Sequence, residues 1–164
     1  MTLGFKVMQK HISGEAMTSV LDFLSNQDRN ASGWLLTDIW KFNDTQIENT
    51  HTFIQWVFPT NEASRAVPGS PLLDEEEIAE IQNSEQAKQN LSKSAEWYFD
   101  FLRRNNFWRK PHDHNHLRIT RVIKSLRLLC GDDEADYFKE QFWQLLGTDI
   151  SQIPSRTIEY WEDA

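Results

Sequence analysis

The segment HDHNHLRITRVIKSLRLLCG, residues 112–131, decides how the chain is read. On a helical wheel over 115–130, Ile119, Val122, Ile123, Leu126, Leu129 and Cys130 share one apolar arc. Gly131 closes the run, as glycine commonly does after a helix C-terminus. Leu117 and Leu128 fall on another side, and a polar seam of Arg118, Arg121 and Ser125 runs between the two apolar patches. Thr120, Lys124 and Arg127 face away, toward expected solvent. At least one seam arginine should therefore be partly buried, where an unpaired guanidinium is costly. Either an acidic helix supplies the partner, with Glu48, Asp100 and Glu96 as candidates, or a carboxylate or phosphate comes from outside. The guanidinium fork matches paired oxygens in both cases.

Working outward, the same periodicity finds helices almost everywhere. AMTSVLDFL (16–24) reads as helical, NQDRNASG as a loop, and WLLTDIWKF as a short buried helix, with a strand as the less favoured alternative. Asn43 with Gln46 fits a capping box that opens a helix over 44–58, stopped by Pro59. Its apolar arc is Ile47, Phe53, Ile54, Val57 and Phe58, with His51 and Gln55 at the edge. Trp56 projects from the opposite side and needs a second packing partner. TNEASRAVPGSP is a long loop. Asp74 to Ile81 is a helix with acids in its first turn, and Asn83 with Gln86 marks the start of another that reaches about Asn105. That helix puts Ala87, Leu91, Ala95, Tyr98 and Leu102 on one face. An amphipathic helix from Asp133 to Leu146 is closed by Gly147, and Pro154 with Ser155 opens a last one. No convincing set of strands appears. The expectation is an all-α fold of about six to seven helices in a single compact domain over residues 1–164.

Composition narrows the class. Seven Trp and ten Phe among 164 residues argue for a folded core, and six Gly with five Pro argue against a turn-rich sandwich. Cys130 is the single cysteine, so no intrachain disulfide forms. The opening MTLGFKVMQKHISGE lacks a signal-peptide apolar run, and no stretch of the sequence is apolar enough for a membrane span. A soluble, cytoplasmic protein is expected. The net charge of −8 is uneven: from Arg103 to Arg127 there are eight basic residues against one acid, Asp113. That segment could bind an anion, with Trp108 stacking if the anion were nucleic acid, although the overall charge argues against nucleic acid.

Other chemistry is thin. His112, His114 and His116 alternate, so in an extended loop they would point the same way as a weak metal candidate. They lack a cysteine partner and a second ligand pair, and Asp113 or Asn115 serves equally as the N-cap of the following helix. The chain has no glycine-rich phosphate loop, nucleophile elbow or CxxC. No cofactor is implied. Cys130, on an apolar arc, should be a small hydrophobe.

WLLTDIW, ENTHTFIQWVFPTNE and NHLRITRVIKSL, in that order, resemble the conserved domain of the opioid growth factor receptor family. The first hallmark is matched by His51, Phe53, Ile54, Gln55, Trp56, Val57, Phe58 and Pro59. The second is matched by Asn115, Leu117 to Ile123, Lys124, Ser125 and Leu126. The resemblance covers roughly residues 16–146. It implies an all-helical domain that in animals belongs to a nuclear-associated receptor for a short enkephalin peptide that restrains growth. The chain is short and carries no downstream repeat region, so an opioid ligand does not follow for it.

The polar residues misplaced on the two wheels fall inside the two motifs. This leads to a first reading: a non-enzymatic binding module whose pocket is formed by His51, Gln55, Trp56, His114, Asn115, Arg118, Arg121 and Ser125. Its ligand would be a small anion or peptide. Two alternatives stand beside it. One is an enzyme using His51 or His114 as general base with Arg118 and Arg121 stabilising negative charge. The other is nucleic-acid binding through 103–127. Catalysis is left open, with the balance against it. The ligand and the oligomeric state are not legible.

Overall fold

The computed structural model describes residues 18–64 and 67–164. Residues 16–17 of the first expected helix and the opening segment lie outside this range, as do Arg65 and Ala66 of the long loop. Among the described residues there are nine helices and no strand. They are α1 (Val20–Leu24), α2 (Leu36–Trp40), α3 (Asp44–Asn49), α4 (Ile54–Val57), α5 (Glu75–Gln82), α6 (Glu85–Arg104), α7 (His114–Leu129), α8 (Asp132–Leu146) and α9 (Ser155–Asp163). The break that makes the segment 44–58 two helices adds to the expected number, and α1, α2 and α4 are each five residues or fewer.

Local sequence explains most boundaries. Asn43 Oδ1 accepts from the Gln46 N–H at 2.8 Å while the Gln46 side chain accepts from the Asn43 N–H, which opens α3 as expected. Asp74 and Glu77 do the same for α5. The cap of α6 differs from expectation: Ser84, not Asn83, accepts from the Ala87 N–H, and Asn83 instead ends α5. A hydroxyl and an amide at adjacent positions both satisfy the N-cap preference, so the sequence alone does not choose between them. Asp113 caps α7.

The expected helix 44–58 breaks at Thr50, whose backbone is extended. Asn49, Thr50, His51 and Thr52 are all poor helix formers, and their side chains lose more freedom or compete more for backbone groups in a helix. The break frees carbonyls that α7 then uses, as described below.

One hydrophobic core runs through all nine helices. Its centre is α6, a 20-residue rod roughly 30 Å long, which buries Ala87, Leu91, Ala95, Tyr98 and Leu102 as the periodicity predicts. α7 lies across it and buries Ile119, Val122, Ile123, Leu126 and Leu129. α8 folds back antiparallel on α7 after a turn at Gly131, and α9 returns to the start of α7 through Trp161. Burial pushes the Cys130 thiol up to about 11, which keeps it a small apolar group. No described helix is long and apolar enough to cross a membrane.

Gly131 sets the α7–α8 turn with φ +106° and ψ 173°, a region only glycine occupies comfortably. A Cβ there would meet nothing within 4 Å, so the penalty is purely backbone. Gly131→Ala should cost about 1–3 kcal/mol. A lower urea midpoint at unchanged slope is the expected reading, and an unchanged midpoint would refute it.

Candidate functional site

α7 presents Arg118, Arg121 and Ser125 at i, i+3 and i+7, all on one face turned toward residues 47–59. Arg118 is 5% exposed. Its Nη1 donates to the Ile47 carbonyl and its Nη2 to the Thr50 carbonyl, each at 2.8 Å. Arg121 Nε donates to the Phe58 carbonyl at 2.8 Å, and Nη2 to the Gln55 carbonyl at 3.4 Å. Ser125 Oγ donates to the Pro59 carbonyl at 2.8 Å. The polar seam is thus a clamp on the backbone of the broken helix. Neither arginine takes a carboxylate from Glu48, Asp100 or Glu96 as its direct partner. The groups they satisfy are the carbonyls left over at the ends of α3 and α4. Arg118 also lies over the Phe53 ring, 5.3 Å from its centroid.

Asn115 is a buried hub. It donates to Glu48 at 3.0 Å and accepts from the Tyr98 hydroxyl at 2.7 Å and from Arg118 at 3.4 Å. Burial raises the Tyr98 phenol far above its ordinary value, so it stays a donor. His114 Nε2 meets the other Glu48 oxygen at 2.8 Å. Burial and the Arg118 charge hold the His114 imidazole below its ordinary value, outweighing the Glu48 carboxylate, so it is neutral at pH 7 and donates. The His51 ring stands edge-on to it, 5.5 Å away.

A cleft of about 450 Å³ opens between α4, the loop after Thr60, and α7. Of the sequence candidates, His51, Gln55, His114, Arg118 and Arg121 line it. Trp56, Asn115 and Ser125 do not. Trp56 faces the other way, against Phe23 of α1 with centroids 5.6 Å apart, so its apolar area serves the core and not the cleft. Asn115 and Ser125 are fully buried and occupied by the bonds just given. Thr60, Glu62 and Leu117 are among the lining residues that the sequence reading did not place in the pocket. Glu62 pairs with Lys124 at 3.0 Å over the rim. Leu117 was assigned to a second apolar patch, yet it is 68% exposed.

Two polar groups in this cleft have unmet hydrogen-bonding capacity. Gln55 is only 6% exposed, and its Oε1 is buried with no donor. Arg121 is half-buried with no carboxylate in ion-pairing range among the described residues, and its Nη1 has no acceptor. Desolvation pulls its guanidinium down to about 10.

The three alternating histidines do not converge. α7 starts at His114, so His114 and His116 are separated by two helical steps and point apart. His116 Nε2 bonds the Trp108 carbonyl and its ring packs on Trp161. The atoms that do gather are from Glu48, Asp113 and His114, within 4.8 Å of one another. They are engaged with each other, with the helix cap and with Lys110. The basic run 103–127 also disperses: Arg103 pairs with Asp100, Arg104 with Asp44, Arg127 with Asp132 and Asp136, and Arg109 takes carbonyls of Leu145 and Leu146. Arg118, Arg121 and Lys124 line the cleft, and Lys110 pairs with Asp113.

The family model described as "Opioid growth factor receptor (OGFr) conserved region" matches residues 21–161. The chain belongs to this opioid growth factor receptor conserved-region family. The match extends past the sequence motifs to take in α9. The opioid growth factor receptor of Mus musculus is 31% identical over 116 residues, which is 58% of this chain and 18% of that protein. Opioid growth factor receptor-like protein 1 of Xenopus tropicalis is 30% identical over 141 residues, 74% of this chain and 27% of that protein. The Homo sapiens receptor is 30% identical over 132 residues, 66% and 19% respectively. The chain therefore spans about a quarter or less of the length of these relatives. No solved structure matches it. In the structure the two family motifs face each other: the first forms α4 and the turn before it, the second forms α7, and the cleft lies between them.

Proposed function

We propose that this family member is a non-enzymatic binding module, a single helical domain that takes an anionic group of a small ligand or peptide in the cleft between α4 and α7. The observation that carries this reading is Gln55. A buried amide oxygen without a partner costs folding free energy, and native proteins rarely leave one in place. Here it borders a cleft, beside an arginine with a donor to spare. A ligand with an anionic oxygen for Arg121 and an N–H or O–H for Gln55 satisfies both groups. The relatives are named as receptors for opioid growth factor. That peptide is accordingly one probe among several.

Gln55→Leu tests the reading cleanly. It removes a buried oxygen that bonds nothing in the free protein, so the melting temperature should hold or rise. Binding should weaken roughly tenfold or more, since a hydrogen bond to a charged or buried group contributes about 1.5–3 kcal/mol. Calorimetric titration with opioid growth factor peptide, acidic peptides and inorganic phosphate provides the readout. Saturable binding that Gln55→Leu leaves untouched would place the ligand elsewhere.

A further inference from the structure

We infer that the occupant of this cleft is an extended acidic segment of a partner protein, laid across the crest of α7 so that it fills a second cleft as well. The inference rests on the reading of the first cleft given above. The second cleft, about 740 Å³, lies between residues 110–116, α7 and α9, and Lys110, His112, Arg156 and Tyr160 are among its walls. Both clefts share the same three residues as a common wall: His114, Leu117 and Thr120. These stand at i, i+3 and i+6, so they form a ridge along one face of α7. An isolated exposed leucine is ordinary on a protein surface. Leu117 is different in its position, because it is a wall of both hollows and is flanked by the half-exposed Tyr160.

The charge around the two clefts sets the partner's chemistry. Three carboxylates line them, and each already has a partner: Glu62 has Lys124 at 3.0 Å, Asp113 has Lys110 at 3.6 Å, and Glu48 has His114 and Asn115. Arg118, Arg121 and Arg156 line the same clefts with no carboxylate within 4.0 Å among the described residues. The surplus is positive on a chain whose net charge is −8. Such a local reversal of sign favours an acidic partner and speeds its encounter. A small anion in the first cleft would leave Arg156 and Tyr160 unused. An extended peptide, advancing ~3.3 Å per residue with side chains alternating in direction, can span the ridge, place apolar side chains on Leu117 and Tyr160, and offer a backbone N–H to Gln55. A nucleic-acid strand fits less well, because its evenly charged backbone would run past Glu48, Glu62 and Asp113.

The test is fluorescence polarisation with labelled peptides rich in Asp and Glu that carry leucines, one of about four residues and one of about twelve, alongside a single-stranded oligonucleotide of equal charge. The long peptide should bind at least tenfold tighter than the short one. Leu117→Asp and Arg156→Glu, both at exposed positions, should remove most of that advantage, with Arg156→Glu weakening the long peptide at least tenfold more than the short one. Gln55→Leu should weaken both peptides. Equal affinity for the two lengths, or no effect of Arg156→Glu on the long one, would overturn the second cleft and leave the first standing. Insensitivity of both peptides to Gln55→Leu would overturn the first. Tighter binding of the oligonucleotide than of the long peptide would overturn the choice of partner.

Discussion

Arg118→Leu should destabilise the protein by about 3–5 kcal/mol, because it leaves two backbone carbonyls at the α3–α4 break unsatisfied at about 1–3 kcal/mol each. The leucine matches the aliphatic stem but leaves the Ile47 and Thr50 carbonyls without their donor. It also removes a cation from the face of Phe53 and one of the donors to Asn115. At roughly 2–4 °C per kcal/mol for a chain of this size, the melting temperature should fall by about 10 °C. Arg118→Lys should fall between wild type and leucine, because an ammonium keeps the charge but lacks the fork that reaches two carbonyls. Thermal unfolding followed by circular dichroism reads both variants. A loss below about 1 kcal/mol would mean that water replaces the guanidinium at the α3–α4 break.

This result separates structure from binding. Loss of ligand affinity in an Arg118 variant would carry little information, because the segment that bears Gln55 would itself have loosened. Amide hydrogen exchange over residues 50–58 should accelerate first in such a variant, since α4 is only four residues long and is held to α7 by three side chains. Gln55 is the better probe of binding because it holds nothing in place.

Much of this was legible in the sequence, and the reasons for the rest are physical. The apolar arcs of α6 and α7 follow directly from period 3.6, and the ends at Gly131 and Gly147 follow from glycine's place after a helix C-terminus. The wheel also marked Arg118, Arg121 and Ser125 as polar residues out of place. It offered carboxylates as their partners, because side-chain charges are visible in a sequence. Free backbone carbonyls are not, since every residue has one and only a helix break exposes it. The break at Thr50 was therefore the missing piece. Asn49 to Thr52, four weak helix formers in a row, are its signature in the sequence, but an apolar arc read at period 3.6 runs straight through them. Trp56 and Leu117 show a second limit. A wheel gives the direction of a side chain relative to its own helix, but not which neighbour lies there. Trp56 meets α1, and Leu117 stands largely exposed at the wall of the cleft.

Trp161→Ala should have a comparable effect, about 3–5 kcal/mol, the range for deleting a large aromatic from a packed core. Trp161 is fully buried, stacks edge-on to Phe142 at 4.9 Å and to His116 at 5.4 Å, and donates its indole N–H to the His116 carbonyl at 3.1 Å. It is also the fully buried aromatic that ties α9 to the body of the protein. Trp161→Phe keeps the ring but loses the hydrogen bond, and should cost about 1 kcal/mol more than the change in packing alone. The larger substitution carries a functional consequence because Pro154, Arg156, Thr157 and Tyr160 all reach the second cleft from this helix or its first turn. If α9 undocks, that wall goes with it while the first cleft, built from α4, α7 and the loop after Thr60, keeps its residues. Trp161→Ala should then bind the short acidic peptide like wild type and lose the advantage of the long one. Equal loss for both peptides would mean that α9 supports the whole of α7, and the two clefts would have to be treated as a single unit.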